Sequence, residues 1–205
     1  RFLYDDFKVI IQSIDKPTSL VEFVKFIVFF GVDDDPEIFD LLTDAIIIKM
    51  RYVKVDDILT IVTNFAHTLH PSAQLIFDAA NQEIMQRINN EYSAPTPDLF
   101  LQAEDIVKVL NVFLKHKQLH GGLKDSVIEL IDTNRKDYTY EILAELSIIY
   151  ATQMDPKYQN MFFEKFMNKF LKDITFLKEE TLYKILWSFV KAGRLTVKDD
   201  VYEWM

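Results

Sequence analysis

The chain has no cysteine. Disulfide frameworks, thiolate zinc sites and cysteine nucleophiles are therefore excluded. Glycine and proline are scarce, 4 and 6 in 205 residues, and a sandwich or barrel, with its many tight turns, is hard to build from so few. No apolar run approaches the roughly 20 residues that a membrane span requires. The strongest candidate, residues 21–32, is short, carries Glu22 and Lys25, and reads as a buried helix. Cationic side chains are outnumbered, 23 Lys and Arg against 32 Asp and Glu, for a net charge of −9. Phosphate backbones attract basic surfaces, so an acidic chain is a poor default binder of nucleic acid. The chain opens on Arg1 with no initiator methionine, which reads as a processed or partial N-terminus whose targeting segment would lie upstream.

Apolar residues are abundant. The hydrophobic fraction of 49% beside 27% charged residues is enough for a sizeable core and excludes a disordered chain. Their order is more informative than their number. Five segments share the spacing i, i+3, i+4, i+7 and end in an aromatic residue: Phe23-Phe26-Ile27-Phe30, Ile58-Ile61-Val62-Phe65, Ile106-Val109-Leu110-Phe113, Leu143-Leu146-Ser147-Tyr150 and Leu182-Ile185-Leu186-Phe189. That spacing is one apolar stripe on a helix. The terminal aromatics stand 35, 48, 37 and 39 residues apart. A period of this size predicts a helical solenoid, in which each unit buries its face by stacking on the next.

A second apolar helix follows each stripe. Asp33-Asp34-Asp35-Pro36 precedes Ile38, Phe39, Leu42, Ile46 and Met50; His70-Pro71-Ser72 precedes Leu75, Ile76, Phe77, Ala80 and Ile84. Gly121-Gly122 precedes Val127, Ile128, Leu130 and Ile131, and Asp155-Pro156 precedes Met161, Phe162, Phe163, Phe166 and Phe170. Capping acids, Pro and Gly at these points are helix starts and breaks. The long 48-residue step contains the polar, twice-prolyl segment 89–98, which reads as an insertion loop. The organisation expected is one continuous right-handed solenoid of about five repeats: residues 1–92, a Pro-containing loop at 93–98, and residues 99–205. Leu3, Phe7, Ile10, Ile11 and Ile14 resemble a second helix without its first, and Val201 to Met205 resemble the start of another. Neither end carries the polar cap of a terminal repeat, so neighbouring protein is expected to cover both.

Candidate sites are few. The acidic pairs Asp56-Asp57, Glu104-Asp105 and Glu179-Glu180 could be acid–base pairs, but they precede the stripes, where negative charge complements a helix dipole. His116 and His120 are four apart and His67 and His70 three apart; without Cys or a completing Glu they form no metal motif. Gly121-Gly122-Leu123-Lys124-Asp125-Ser126 lacks the spacing of a phosphate loop. No catalytic, cofactor-binding or metal-binding residue is expected, and no small-molecule substrate. Basic residues gather late in the second helices: Lys49, Arg51, Arg87, Arg135, Lys136, Lys169 and Lys172. Sharing an edge with the acidic pairs, they are expected to form a ladder of mixed sign that pairs across repeats. Phe29, Tyr92, Phe100, Tyr183 and Trp204 fall off the stripes, as aromatic anchors of a protein interface do.

The segment Leu182 to Gly193, of the form Leu-x-x-Ile-Leu-Trp-x-Phe-x-x-Ala-Gly, and the period near 38 resemble the organellar helical-repeat families with octotricopeptide and FAST-kinase-like units. The resemblance implies a two-helix repeat solenoid in a mitochondrion, with either RNA or protein as partner. It also implies a role as an accessory subunit of a protist mitochondrial complex. The octotricopeptide Pro-Pro-Glu-Trp signature is absent, and with the acidic charge this makes RNA the disfavoured partner. The expectation is a non-catalytic scaffold that docks other protein subunits, with an RNA-binding repeat protein as the alternative.

Overall fold

The structure, a computed structural model, describes residues 2–29, 31, 35–68, 70–89, 99, 101–132 and 138–195. The loop expected at 93–98, together with Tyr92, Phe100, Arg135, Lys136 and Trp204, lies outside them.

Helices begin where short polar side chains or prolines can satisfy a first turn. Pro17, Pro36 and Pro156 each open a helix, where a missing N–H costs nothing. Asp35 Oδ1 accepts from the N–H groups of Glu37 and Ile38 at 3.0 and 3.2 Å. Thr139 Oγ1 accepts from Ile142 N–H at 3.4 Å. Asp105 reaches back from the third helical position to the N–H of Gln102 at 3.1 Å, half of a capping box. The result among the described residues is ten α-helices and no strand: α1 (Phe2–Ser13), α2 (Pro17–Phe29), α3 (Pro36–Lys49), α4 (Val55–Phe65), α5 (Ala73–Asn89), α6 (Ala103–Lys115), α7 (Gly121–Asp132), α8 (Tyr140–Gln153), α9 (Pro156–Asp173) and α10 (Glu179–Lys191). The protein is all-α. The five stripes fall on the even-numbered helices and the following apolar segments on the odd-numbered ones.

Three stripes are fully buried as spaced: those ending at Phe65, Phe113 and Tyr150. The first is not. Phe26 is 46% exposed, while Leu20, Val24 and Ile27 have no exposed surface. The helix end explains the shift. Gly31 has φ +66° and its N–H bonds Val28 O at 3.2 Å, so it occupies the left-handed position after α2. Gly193 (φ 67°) takes the same place after α10, with Gly193 N–H on Val190 O and Arg194 N–H on Phe189 O. Lys117 (φ 58°) does so after α6, with Lys117 N–H on Leu114 O and Gln118 N–H on Phe113 O. Counting four back from the left-handed residue gives Phe189, Phe113 and, in α2, Ile27. The first copy is thus Leu20-Phe23-Val24-Ile27, three residues earlier than its aromatics suggested. The step to Phe65 becomes 38 instead of 35. In the last copy Ile185 and Phe189 are buried, with Leu182 and Leu186 half-buried.

Lys117 bears a side chain where its two counterparts are glycine, and an L-residue there costs about 1 kcal/mol. Lys117→Gly is expected to stabilise the protein by roughly 0.5–1 kcal/mol, read as a higher urea midpoint. An unchanged or lower midpoint would show the turn to be unstrained.

The chain divides into two compact units, Arg1–Leu101 with Val112–Leu123, and Gln102–Asn111 with Lys124–Met205. In the first, α1 packs on α3 and α3 on α5, while α2 packs on α4. Helices of like parity therefore lie side by side. Phe39 meets Phe65 edge-on at 5.2 Å. The buried amide of Asn81 donates to Phe77 O and Gln118 O, and accepts from His120 N–H, holding the turn after α6 against α5. Gly122 lies beside α5 as well, for a Cβ there would stand 3.2 Å from Met85 Sδ.

Arg87 is the polar centre of this unit. Its Nε lies 2.6 Å from Glu83 Oε1, and both side chains are nearly inaccessible, 2% and 7%. Its Nη1 donates to Leu99 O at 3.2 Å and its Nη2 to Val53 O at 2.8 Å and Met50 O at 3.3 Å. The guanidinium thus supplies donors to Val53 O just beyond the end of α3 and to Leu99 O, and a second donor to Met50 O, which already accepts from Val53 N–H. This corrects the expectation of a ladder charge paired across repeats: Arg87 is drawn inward and pairs with Glu83, one turn before it in its own helix.

In the second unit α8 packs on both α9 and α10. Ser147 Oγ meets Ser188 Oγ at 3.0 Å, and Ala144 is buried beside them, so small residues let α8 and α10 approach closely. Contacts between them join residues 37, 39 and 41 apart, with both numbers rising together: Glu141–Lys178, Glu145–Lys184 and Ser147–Ser188. The two helices are parallel and offset by about one repeat. Behind them Tyr150 stacks on Phe162 at 4.2 Å and donates its hydroxyl to Lys124 O; burial pushes its phenol well above the usual range. Phe163, Phe166, Phe170 and Phe189 complete the cluster.

Candidate functional site

The acidic pairs sit where their spacing placed them, on the first turns of α4, α6 and α10. In the second unit this has a consequence. The N-terminal halves of α6, α8 and α10 line a groove of about 370 Å³. Glu104, Glu141, Glu145 and Glu180 form its acidic rim, with Lys178 and Lys184 among them, and Val107, Ile142 and Ala144 supply apolar surface. Four carboxylates against two ammonium groups leave an excess of two negative charges.

The charges are ordered. Lys178 Nζ lies 2.9 Å from Glu141 Oε1. The hydrogen bond from Lys178 holds the Glu141 carboxyl below its usual range, and the same bond raises the Lys178 amine. Lys184 Nζ bridges Glu145 at 2.8 Å and Glu180 at 3.1 Å, and hydrogen bonds to those two carboxylates raise it in turn. The pairs present are not those expected from the sequence: Glu141 and Glu145 lie outside the acidic pairs, and the cations differ as well. They come from the residue before α10 and from its second turn, not from the ends of the odd-numbered helices. Among the latter, Arg51 lies over the Tyr52 ring at 4.9 Å, Arg87 is buried, and the side chains of Lys169 and Lys172 fall outside the described residues.

The other candidates are dispersed. His116 and His120 part company: His116 meets the ring of His67 edge-on at 5.7 Å, whereas His120 Nε2 lies 3.2 Å from Asp78 Oδ1. Desolvation, with Lys115 and His67 nearby, lowers the His116 pKa. His70 packs its ring on Phe39 at 4.1 Å and its Nδ1 accepts from Ser72 N–H. Among the described residues no three His, Asp or Glu side chains gather as a metal site. The Gly121-Gly122 segment is the first turn of α7 rather than a loop; Ser126 is buried and Lys124 faces Asp155 at 3.4 Å. Of the aromatics off the stripes, Phe29 is 81% and Tyr183 69% exposed. No described helix is long and apolar enough to cross a membrane. The groove itself was not read from the sequence, although Glu141 and Glu145 stand 39 and 35 residues before Glu180, near the repeat spacing. No protein-family model, curated protein or solved structure matches this chain.

Proposed function

We propose that this chain is a non-catalytic scaffold, an α-solenoid of about five two-helix repeats that docks other protein subunits, and that it serves as an accessory component of a large mitochondrial assembly. The groove across α6, α8 and α10 carries the reading. Its glutamates repel a phosphate backbone, while its paired lysines and apolar patches suit a polypeptide. The ligand that fits is a basic protein segment with an aliphatic anchor: Lys or Arg against Glu104 and Glu141, the anchor on Val107 and Ile142. The parallel, one-repeat offset of α8 and α10 and the like-parity packing of α1 to α5 support the solenoid. The mitochondrial assignment follows from the resemblance to organellar repeats.

The test is affinity purification of the tagged protein from its native source, with and without nuclease, beside the variant Glu104→Lys/Glu141→Lys. Protein partners that survive nuclease and fall at least tenfold in the variant are the expected result; charge reversal at a rim acts on encounter and register. Partners that vanish with nuclease would replace this proposal with the RNA-binding one, and their identities test the mitochondrial assignment.

A further inference from the structure

We infer that α10 is a self-association surface, on which two copies of the chain pair their α10 helices antiparallel about a two-fold axis. One face of α10 is spent on the core: Thr181, Ile185, Ser188 and Phe189 are buried against α8 and α9. At about 3.6 residues per turn, Tyr183, Trp187 and Val190 form a second stripe, spaced i, i+4, i+7, on the opposite face. All three are large and apolar, yet they are 69%, 40% and 58% exposed. Aromatic residues of this kind are the usual anchors of interfaces.

The order of charge along the stripe identifies the occupant. Glu180 lies at its N-terminal end and Lys191 at its C-terminal end, on the same flank of the helix, and both are exposed. A two-fold axis level with Ile185 sets Tyr183 of one copy against Trp187 of the other. The same axis sets Glu180 level with Val190, one residue from Lys191 of the second copy. Each ion pair then forms twice, and the helix dipoles oppose one another favourably. A parallel two-fold pairing would carry the charged flanks of the two copies to opposite sides of the interface and keep Glu180 and Lys191 at opposite ends, so neither ion pair would form. The surface is thus complementary to itself in one direction only, as an isologous interface requires. A single helix face is small beside the roughly 800 Å² per partner of a standard interface, so the dimer depends on concentration.

Sedimentation equilibrium of the full chain from about 1 to about 100 µM, the range of a micromolar dissociation constant, is the test. The expected mass rises from 24.2 kDa towards twice that value. Trp187→Asp and, independently, Tyr183→Glu should keep the protein monomeric with unchanged helical circular dichroism. Lys191→Glu should weaken association roughly tenfold, and Glu180→Lys/Lys191→Glu should restore it. A chain monomeric throughout would overturn the inference and leave the stripe to another segment or another protein. A dimer indifferent to Trp187→Asp and Tyr183→Glu would place the interface elsewhere. A charge swap that stays as weak as the single variant would exclude the antiparallel register.

Discussion

Arg87→Ala is expected to lower the free energy of unfolding by about 3–5 kcal/mol, the usual cost of removing one partner from a buried ion pair. The loss has two sources. Glu83 would keep a carboxylate in a site where its side chain is 7% accessible, without the guanidinium 2.6 Å away. The carbonyls of Val53 and Leu99 would lose their Arg87 donors, and each buried acceptor left open costs roughly 1–3 kcal/mol; Met50 O would keep its bond from Val53 N–H. Arg87→Lys should recover only part of the stability, because an ammonium cannot spread its donors over Glu83 and four backbone oxygens. A second comparison isolates the charge. Replacing both partners, Glu83→Leu with Arg87→Met, removes the buried carboxylate together with the guanidinium, so the double variant should be more stable than Arg87→Ala. Urea unfolding followed by circular dichroism measures all four proteins. A loss under about 1 kcal/mol for Arg87→Ala would mean that water reaches the site and that the pair is not buried in solution.

Arg87 also marks where sequence reading stops. A stripe at i, i+3, i+4, i+7 reports which side of a helix turns inward, because burial of apolar surface acts on every turn alike. The stripes ending at Phe65, Phe113 and Tyr150 could therefore be placed residue by residue. Capping is as local: Asp35 with Pro36 and the acidic pairs of α4, α6 and α10 are legible because they act within one turn. Arg87 is different. Its charge and its place near the end of a helix are common to solvent-facing residues, and its partners Met50, Val53 and Leu99 lie 37, 34 and 12 residues away. The first stripe was misread for a related reason. Phe26 and Phe30 outweigh Leu20 and Val24 in size, but the register is set by Gly31, whose left-handed backbone ends the helix. The groove was half visible. Glu141, Glu145 and Glu180 stand near repeat spacing, but only parallel packing of α8 and α10 brings Lys178 and Lys184 between them.

Phe189→Ala is expected to cost about 3–5 kcal/mol, at the level of core aromatic truncations. The sequence already marks Phe189 as the end of a stripe, and the structure shows how much converges on it. The ring is fully buried and lies 4.8 Å from Phe163, 5.9 Å from Phe166 and 5.7 Å from Phe170. Truncation removes three aromatic contacts, each worth about 0.5–1.5 kcal/mol beyond area, and leaves a cavity walled by rigid rings that collapse poorly. The same residue anchors the end of α10 through the bond from Arg194 N–H to Phe189 O at 2.8 Å. That bond belongs to the backbone and survives the substitution, so the loss reads packing alone. Phe189→Leu, which refills most of the volume, should lose less than half as much. Because α10 carries both a wall of the groove and the Tyr183-Trp187-Val190 stripe, the variant separates stability from binding. In urea titrations its midpoint should fall. At a temperature where it remains folded, self-association should persist, since none of the three stripe residues faces the cavity. A fall under about 1 kcal/mol would show that Phe189 is not packed as described. Association lost from the folded variant would show that the stripe depends on the core behind it.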